Sequence, residues 1–214
     1  MRIFTSVLFI GALFCSSAHA HDTGDFFVRI GAAQVSPDAS SDTVLGGSID
    51  VEDSTSLGLS GTWFMGSHLG LEVLGALPFE HDIVGAGSLD GVDLGSTKHL
   101  PPTISLQYYP LNESDFQLYL GIGINYTTFF STETSDVLDT LLDGNTEVSL
   151  DDSTGVAFQL GADWKLGENF YLNAAIWKID IETTADISVD GVNVASLDVT
   201  IDPVVVMLGI GFAF

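Results

Sequence analysis

From Val204 to the C-terminus, every second residue is bulky and apolar: Val204, Val206, Leu208, Ile210, Phe212 and Phe214. The alternate positions, Pro203, Val205, Met207, Gly209, Gly211 and Ala213, are mostly small. A repeat of two places successive side chains on opposite faces of a strand. A large apolar face backed by small or polar residues suits a strand standing between lipid and a narrow interior. The pattern recurs along the chain. Residues 26–35, 57–65, 69–81, 103–109, 116–127, 155–166 and 170–183 also alternate, which with the C-terminal strand makes about eight. Bacterial membrane barrels have an even strand number.

The connections alternate too. Gly66-Ser67-His68, Leu111 to Asp115 and Gly167-Glu168-Asn169 are tight, whereas 36–53, 83–97, 131–152 and 187–198 are long and polar. Short periplasmic turns and long outer loops are the habit of such barrels. Val137 to Leu142, inside the third long segment, is a candidate short helix. Hydrophobic residues make up 46% of the chain, yet beyond the N-terminus no run of about 20 apolar residues occurs to form a spanning helix. A strand edge left in hydrocarbon carries unpaired N–H and C=O groups at several kcal/mol each, and closing the sheet removes that cost. The expected fold is therefore all-β, an eight-stranded antiparallel transmembrane β-barrel over 21–214. Trp63, Tyr108, Tyr109, Tyr126, Trp164 and Tyr171, near strand ends, suit interfacial girdles.

Residues 1–20 read as a cleaved secretory signal: Arg2, an apolar run from Val7 to Phe14, and Ala18-His19-Ala20 as the small-x-small site. Cys15 would leave with it, so the mature chain is expected to hold no thiol and no Cys-based metal site. The expected location is the outer membrane of a Gram-negative cell, in contact with the lipid bilayer and lipopolysaccharide. With five Lys and Arg and a formal charge of −24, the chain lacks the basic footprint of nucleic-acid binding. The acids cluster in the long segments, as in Glu133, Asp136, Asp139, Asp143 and Glu147, where solvation explains them better than a cation site.

Several stretches resemble the OmpW family of outer membrane proteins. They are Gly24-Asp25-Phe26-Phe27-Val28-Arg29, Leu71-Glu72-Val73-Leu74-Gly75-Ala76-Leu77-Pro78-Phe79 and His99-Leu100-Pro101-Pro102-Thr103. The run from Gly121 to Phe130, the run from Trp177 to Ala185 and the ending from Pro203 to Phe214 extend the likeness over nearly all of the mature chain. The acidic long segments match the family poorly. The resemblance implies a narrow barrel with an apolar interior suited to small hydrophobic molecules. The terminal Phe214 also resembles the signal read by the barrel assembly machinery.

Within that frame, Leu74 and Trp177 fall on inward faces although porin interiors are polar. They are expected to line or plug a hydrophobic lumen with Phe64, Ala76, Pro78 and Ile179 as neighbours. Pro78 and the Pro101-Pro102 pair remove backbone donors from two adjacent strands, marking a bend or a lateral opening. Arg29, Glu72, Gln107, Gln159, Asp163 and Lys165 are inward polar residues expected to form a network near the periplasmic end, with Arg29 and Lys165 paired to Glu72 or Asp163. His81 and His99 flank the second long segment on neighbouring strands and, with Asp82, supply metal-donor types, though rim histidines commonly serve without a metal. No Gly-x-Ser-x-Gly nucleophile motif occurs, so no enzyme is expected, and no cofactor. The expected function is a narrow channel or carrier for small hydrophobic solutes. The alternative is a structural or surface-interaction barrel acting through its acidic outer segments.

Overall fold

The computed structural model describes residues 21–41, 47–111 and 113–214. The expected signal segment, with Cys15, lies outside the described residues. In chain order the first strands are β1 (Phe26–Ser36), β2 (Ser40–Ser41), β3 (Gly47–Val51), β4 (Ser54–Gly66) and β5 (Leu69–Ala76). Next come β6 (Phe79–Gly87), β7 (Asp93–Leu100), β8 (Thr103–Tyr108) and β9 (Phe116–Thr134). Helix α1 (Asp136–Leu142) precedes β10 (Thr146–Leu150), β11 (Ser153–Lys165), β12 (Phe170–Ile179), β13 (Glu182–Val189), β14 (Val192–Thr200) and β15 (Val204–Ala213).

Eight strands, β1, β4, β5, β8, β9, β11, β12 and β15, pair antiparallel around a ring that the β11–β9 ladder closes. No helix among the described residues is long and apolar enough to cross a membrane. The alternation read from the sequence is physical. Leu59, Ile122, Ile124, Phe158 and Leu208 stand on the outer surface more than half exposed, while Arg29, Thr62, Glu72, Tyr119 and Met207 fill the inside. A belt of large apolar side chains facing outward from a closed ladder is a surface made for hydrocarbon. Trp63, Tyr108, Tyr126 and Trp164 are outward and exposed, as expected of girdle residues, but Tyr109 and Tyr171 point into the lumen and are buried.

Small inward residues make room for large ones. A Cβ on Gly161 would run into the Tyr119 ring, and one on Gly211 would run into Phe27. The interior of an eight-stranded barrel is only wide enough for side chains, so Tyr119 and Phe27 fit because a glycine stands against each ring.

The outer segments, expected as polar loops, are mostly strand. One sheet runs β3–β6–β7 and joins the upper part of β9; a second, four-stranded sheet runs β10–β13–β14–β2. Helix α1 links them, with Ser135 as N-cap accepting from the Leu138 N–H and Asp143 ending it in the left-handed region at φ 56. This lies close to the helix expected at Val137 to Leu142. The two walls above the barrel differ. In the β12–β13 and β14–β15 hairpin, bonds from Ile179 N to Pro203 O and Ile201 N to Ile181 O carry the ladder across the strand breaks. On the opposite side the ladder is interrupted twice.

Candidate functional site

The lumen has two fillings. Near the tight turns it is polar. Arg29 lies in a fork with Asp163, Nε to Oδ1 at 3.0 Å and Nη2 to Oδ2 at 2.6 Å. Its Nη1 donates to Thr62 Oγ1 at 2.8 Å and reaches Glu72 at 3.5 Å, and Nη2 donates to Tyr109 at 3.0 Å. The guanidinium also stacks over the Phe27 ring at 4.4 Å. Gln159 donates to Glu72 at 3.0 Å, Gln107 to Gln159 at 3.0 Å, and Asn173 to Asp163 at 2.8 Å. All are buried. A forked, charge-assisted pair is the geometry in which arginine binds carboxylates most firmly. Below the network, His21 stacks on Phe64 with centroids 3.8 Å apart and donates to Gln117 at 2.7 Å.

The structure brings Arg29, Glu72, Gln107, Gln159 and Asp163 together and leaves Lys165 apart. Lys165 sits half-buried at the turn end of β11 and makes neither of the ion pairs with Glu72 or Asp163, which both belong to Arg29. Tyr109, Tyr119, Thr62 and Asn173 are members that sequence reasoning missed. Their inward parity was legible, but their height along the barrel was not.

Above the network lie Trp177, Ile179, Leu74 and Met207, all buried. They surround a small cavity of about 20 Å³, shared with Ala76, Gly75, Phe79 and Pro101. Leu74, Trp177, Ile179 and Ala76 thus border one cavity. Phe64 does not join them, because it belongs to the opposite end of the lumen, against His21 and Tyr109. Pro78 is exposed rather than lining the lumen. The inward series on this strand runs Glu72 and Leu74, then Phe79 and His81, so parity flips and Pro78 is displaced outward.

That flip marks the first interruption. The last rung between β5 and β8 is Leu74 with Thr103, and the next, between β6 and β7, is Phe79 with His99. Residues 75–78 thus face only 100–102, an extra residue on one strand, which is a bulge. Pro101 and Pro102 offer no N–H across the gap. Their carbonyls accept from Asn125 Nδ2 at 3.1 Å and Tyr126 N at 3.0 Å, both on β9. The second interruption lies on the other flank. Leu77 N bonds Leu57 O and Glu52 N bonds Asp82 O, but no ladder pairing joins 53–56 to 78–81 between them. Side chains reach over instead, the Ser56 hydroxyl to the carbonyls of Leu77 at 3.0 Å and Pro78 at 3.3 Å, and the His81 ring to the Glu52 carbonyl at 2.6 Å.

Over this broken wall the two outer sheets enclose a chamber of about 130 Å³. Its lining includes Ile49, Ile83, Leu94, Phe129, Leu138, Val148, Ile181, Ala185, Leu197 and Val199. The segments that look polar in sequence turn their apolar alternate residues toward each other. His81 and His99 also line it, their rings stacked nearly parallel with centroids 4.9 Å apart, and Phe79 stacks next to His99 at 5.5 Å. Both histidines lie above the apolar belt, since the outward residues beside them are Glu80 and Lys98, a solvent-facing ion pair at 3.5 Å. Burial pushes the His99 imidazole down to about 3, helped by the nearby His81. Burial lowers His81 as well, against the opposing pull of the Glu52 carbonyl. Among the described residues no cluster of three His, Cys, Asp or Glu stands ready for a metal ion.

The sequence profile of the OmpW family matches residues 22–214. The chain belongs to the OmpW family. It is 40% identical over 210 residues to outer membrane protein W of Vibrio cholerae serotype O1, covering 96% of this chain and 95% of that one. The crystal structure of OprG from Pseudomonas aeruginosa superposes with a TM-score of 0.82 at 40% identity, covering 91% of this chain and 98% of OprG. A more distant relative, 24% identical over 216 residues, is a Pseudomonas aeruginosa protein named for a dibenzothiophene metabolism operon. This OmpW-family chain is an outer-membrane β-barrel of Gram-negative type, as its likeness to outer membrane protein W and OprG shows.

Proposed function

We propose that this barrel takes small hydrophobic molecules from outside into the upper chamber and releases them sideways through the broken wall into the outer membrane. The observation that carries the proposal is the contrast in height. An apolar chamber stands directly above a lumen sealed by the Arg29 network, and the ladder is interrupted at the chamber's floor. An apolar solute gains free energy by leaving water for the chamber. It meets buried charge below, where entering would break charge-assisted bonds. Hydrocarbon lies beside Pro78 and Pro102, both exposed. The relative named for dibenzothiophene metabolism is consistent with an apolar aromatic cargo.

The test is flux of naphthalene into vesicles whose outer leaflet is lipopolysaccharide, with ion conductance recorded in parallel. The expected result is faster naphthalene entry than in empty vesicles, with no steady ion current. In a Ser56→Cys, Pro78→Cys variant, bridging the two thiols with a short bifunctional reagent is expected to slow entry. Steady conductance with unchanged flux on bridging would replace the sideways route with an axial one.

A further inference from the structure

The proposed route says nothing of what, beyond apolarity, the chamber recognises. One side chain does. His81 is 2% exposed and lines the chamber. Its Nδ1 lies 2.6 Å from the Glu52 carbonyl oxygen. A carbonyl only accepts, so Nδ1 carries the proton, and in the neutral ring Nε2 is a bare acceptor. That Nε2 has no hydrogen-bond partner among the described residues. A buried acceptor left unmade costs free energy that a matching donor recovers. Thr97, opposite His81 in the ladder, has its hydroxyl engaged with that of Thr132 at 3.0 Å.

The surroundings add shape. His99 stacks on His81 with centroids 4.9 Å apart and lies tilted against Phe129 at 5.9 Å. Stacked and tilted rings at such spacing accept another aromatic ring readily. The chamber volume of about 130 Å³ is close to that of an apolar cavity of about 150 Å³ known to hold a benzene molecule.

We infer that the chamber is a binding site for a single-ring phenol, whose hydroxyl donates to His81 Nε2 while its ring packs among His99, Phe129 and the aliphatic wall. This rests on the chamber being the solute's way in. It adds a directional contact that a hydrocarbon lacks, so the barrel would prefer apolar rings bearing one hydroxyl donor over rings of the same shape without it.

The test compares p-cresol with p-xylene, which exchanges the hydroxyl for a methyl group. Binding is measured on the full folded barrel in detergent, wild type against His81→Phe, with folding of both checked by gel mobility before and after boiling. Partition into micelles cancels in the ratio of the two proteins for each solute. The expected result is p-cresol affinity about tenfold weaker in the variant, with p-xylene unchanged or tighter. Nitrogen NMR of the wild-type imidazole supplies a readout that does not depend on the variant's folding. The His81 Nε2 resonance is expected to move with p-cresol and not with p-xylene. Equal behaviour of the two solutes overturns the inference and leaves the apolar route standing. Absence of both from the chamber overturns the inference and the route together.

Discussion

The two halves of the lumen are built from the same alternating strands and solve opposite problems. In the lower half, large polar side chains fill the ring, and Arg29, Asp163 and Glu72 are joined in one hydrogen-bonded network with Thr62, Gln159 and Asn173. In the upper half, the strands bend apart into two sheets whose facing residues are apolar and do not meet. Filling gives a rigid stopper. Divergence gives capacity. Where they meet, the barrel wall is broken on one side and continuous on the other.

The strongest way to break this comparison is Arg29→Leu. It leaves Asp163 and Glu72 buried without their cation, and the expected loss is about 4 kcal/mol. The measurement is the temperature at which the barrel loses its folded gel mobility, and an unchanged temperature would mean the lower half is not pinned by charge. Trp177→Ala acts at the boundary. Removing the ring is expected to cost about 3 kcal/mol and to join the small cavity to the chamber, raising the capacity for naphthalene without producing ion current, because the network beneath remains. Gly161→Val probes the stopper's packing alone. Its side chain would displace the Tyr119 ring, with an expected cost of about 2 kcal/mol read by the same thermal shift, while solute entry stays as in the wild type.

The smallest effect on the barrel as a whole is expected from mild acid. His99 is held neutral in the fold, with its imidazole lowered from about 6.5 to about 3. The unfolded chain therefore binds more protons between those values, so stability is complete above the upper one and falls as the pH drops toward the lower. His81, lowered in the same sense but with Asp53 and Asp82 nearby to oppose the shift, adds to the trend. Hydrogen exchange in β6 and β7 is expected to quicken between neutral and mildly acid pH while β11 and β12 stay protected. His99→Phe should flatten that dependence, and equal quickening in all four strands would place the acid-sensitive groups elsewhere.

Much of the barrel was legible because alternation is a local property. Leu106 and Gln107 are adjacent in the chain and face opposite ways for the same reason that any strand alternates, and the structure keeps that division. Arg29, Glu72, Gln107, Gln159 and Asp163 could be grouped by parity alone. The outer sheets were harder to read. Leu197, Val199 and Ile201 do alternate, but their polar partners Asp198 and Thr200 and the acids around them dominate the composition. The apolar series becomes a chamber wall only when β10, β13 and β14 are seen to face β3, β6 and β7.

The residues by themselves determined which side of the sheet each strand position faces and that the sheet has to close, since a two-residue repeat and unsatisfied edges in lipid leave no other arrangement. Height was decided only by the assembled ring. Phe64 and Trp177 are both inward and aromatic, yet one closes the turn end against His21 and the other borders the upper cavity. Lys165 has inward parity but stands half-buried at the turn end of β11, while Asp163 is held by Arg29. Register between neighbouring strands sets those levels, and register comes from pairing across the whole barrel rather than from any one strand.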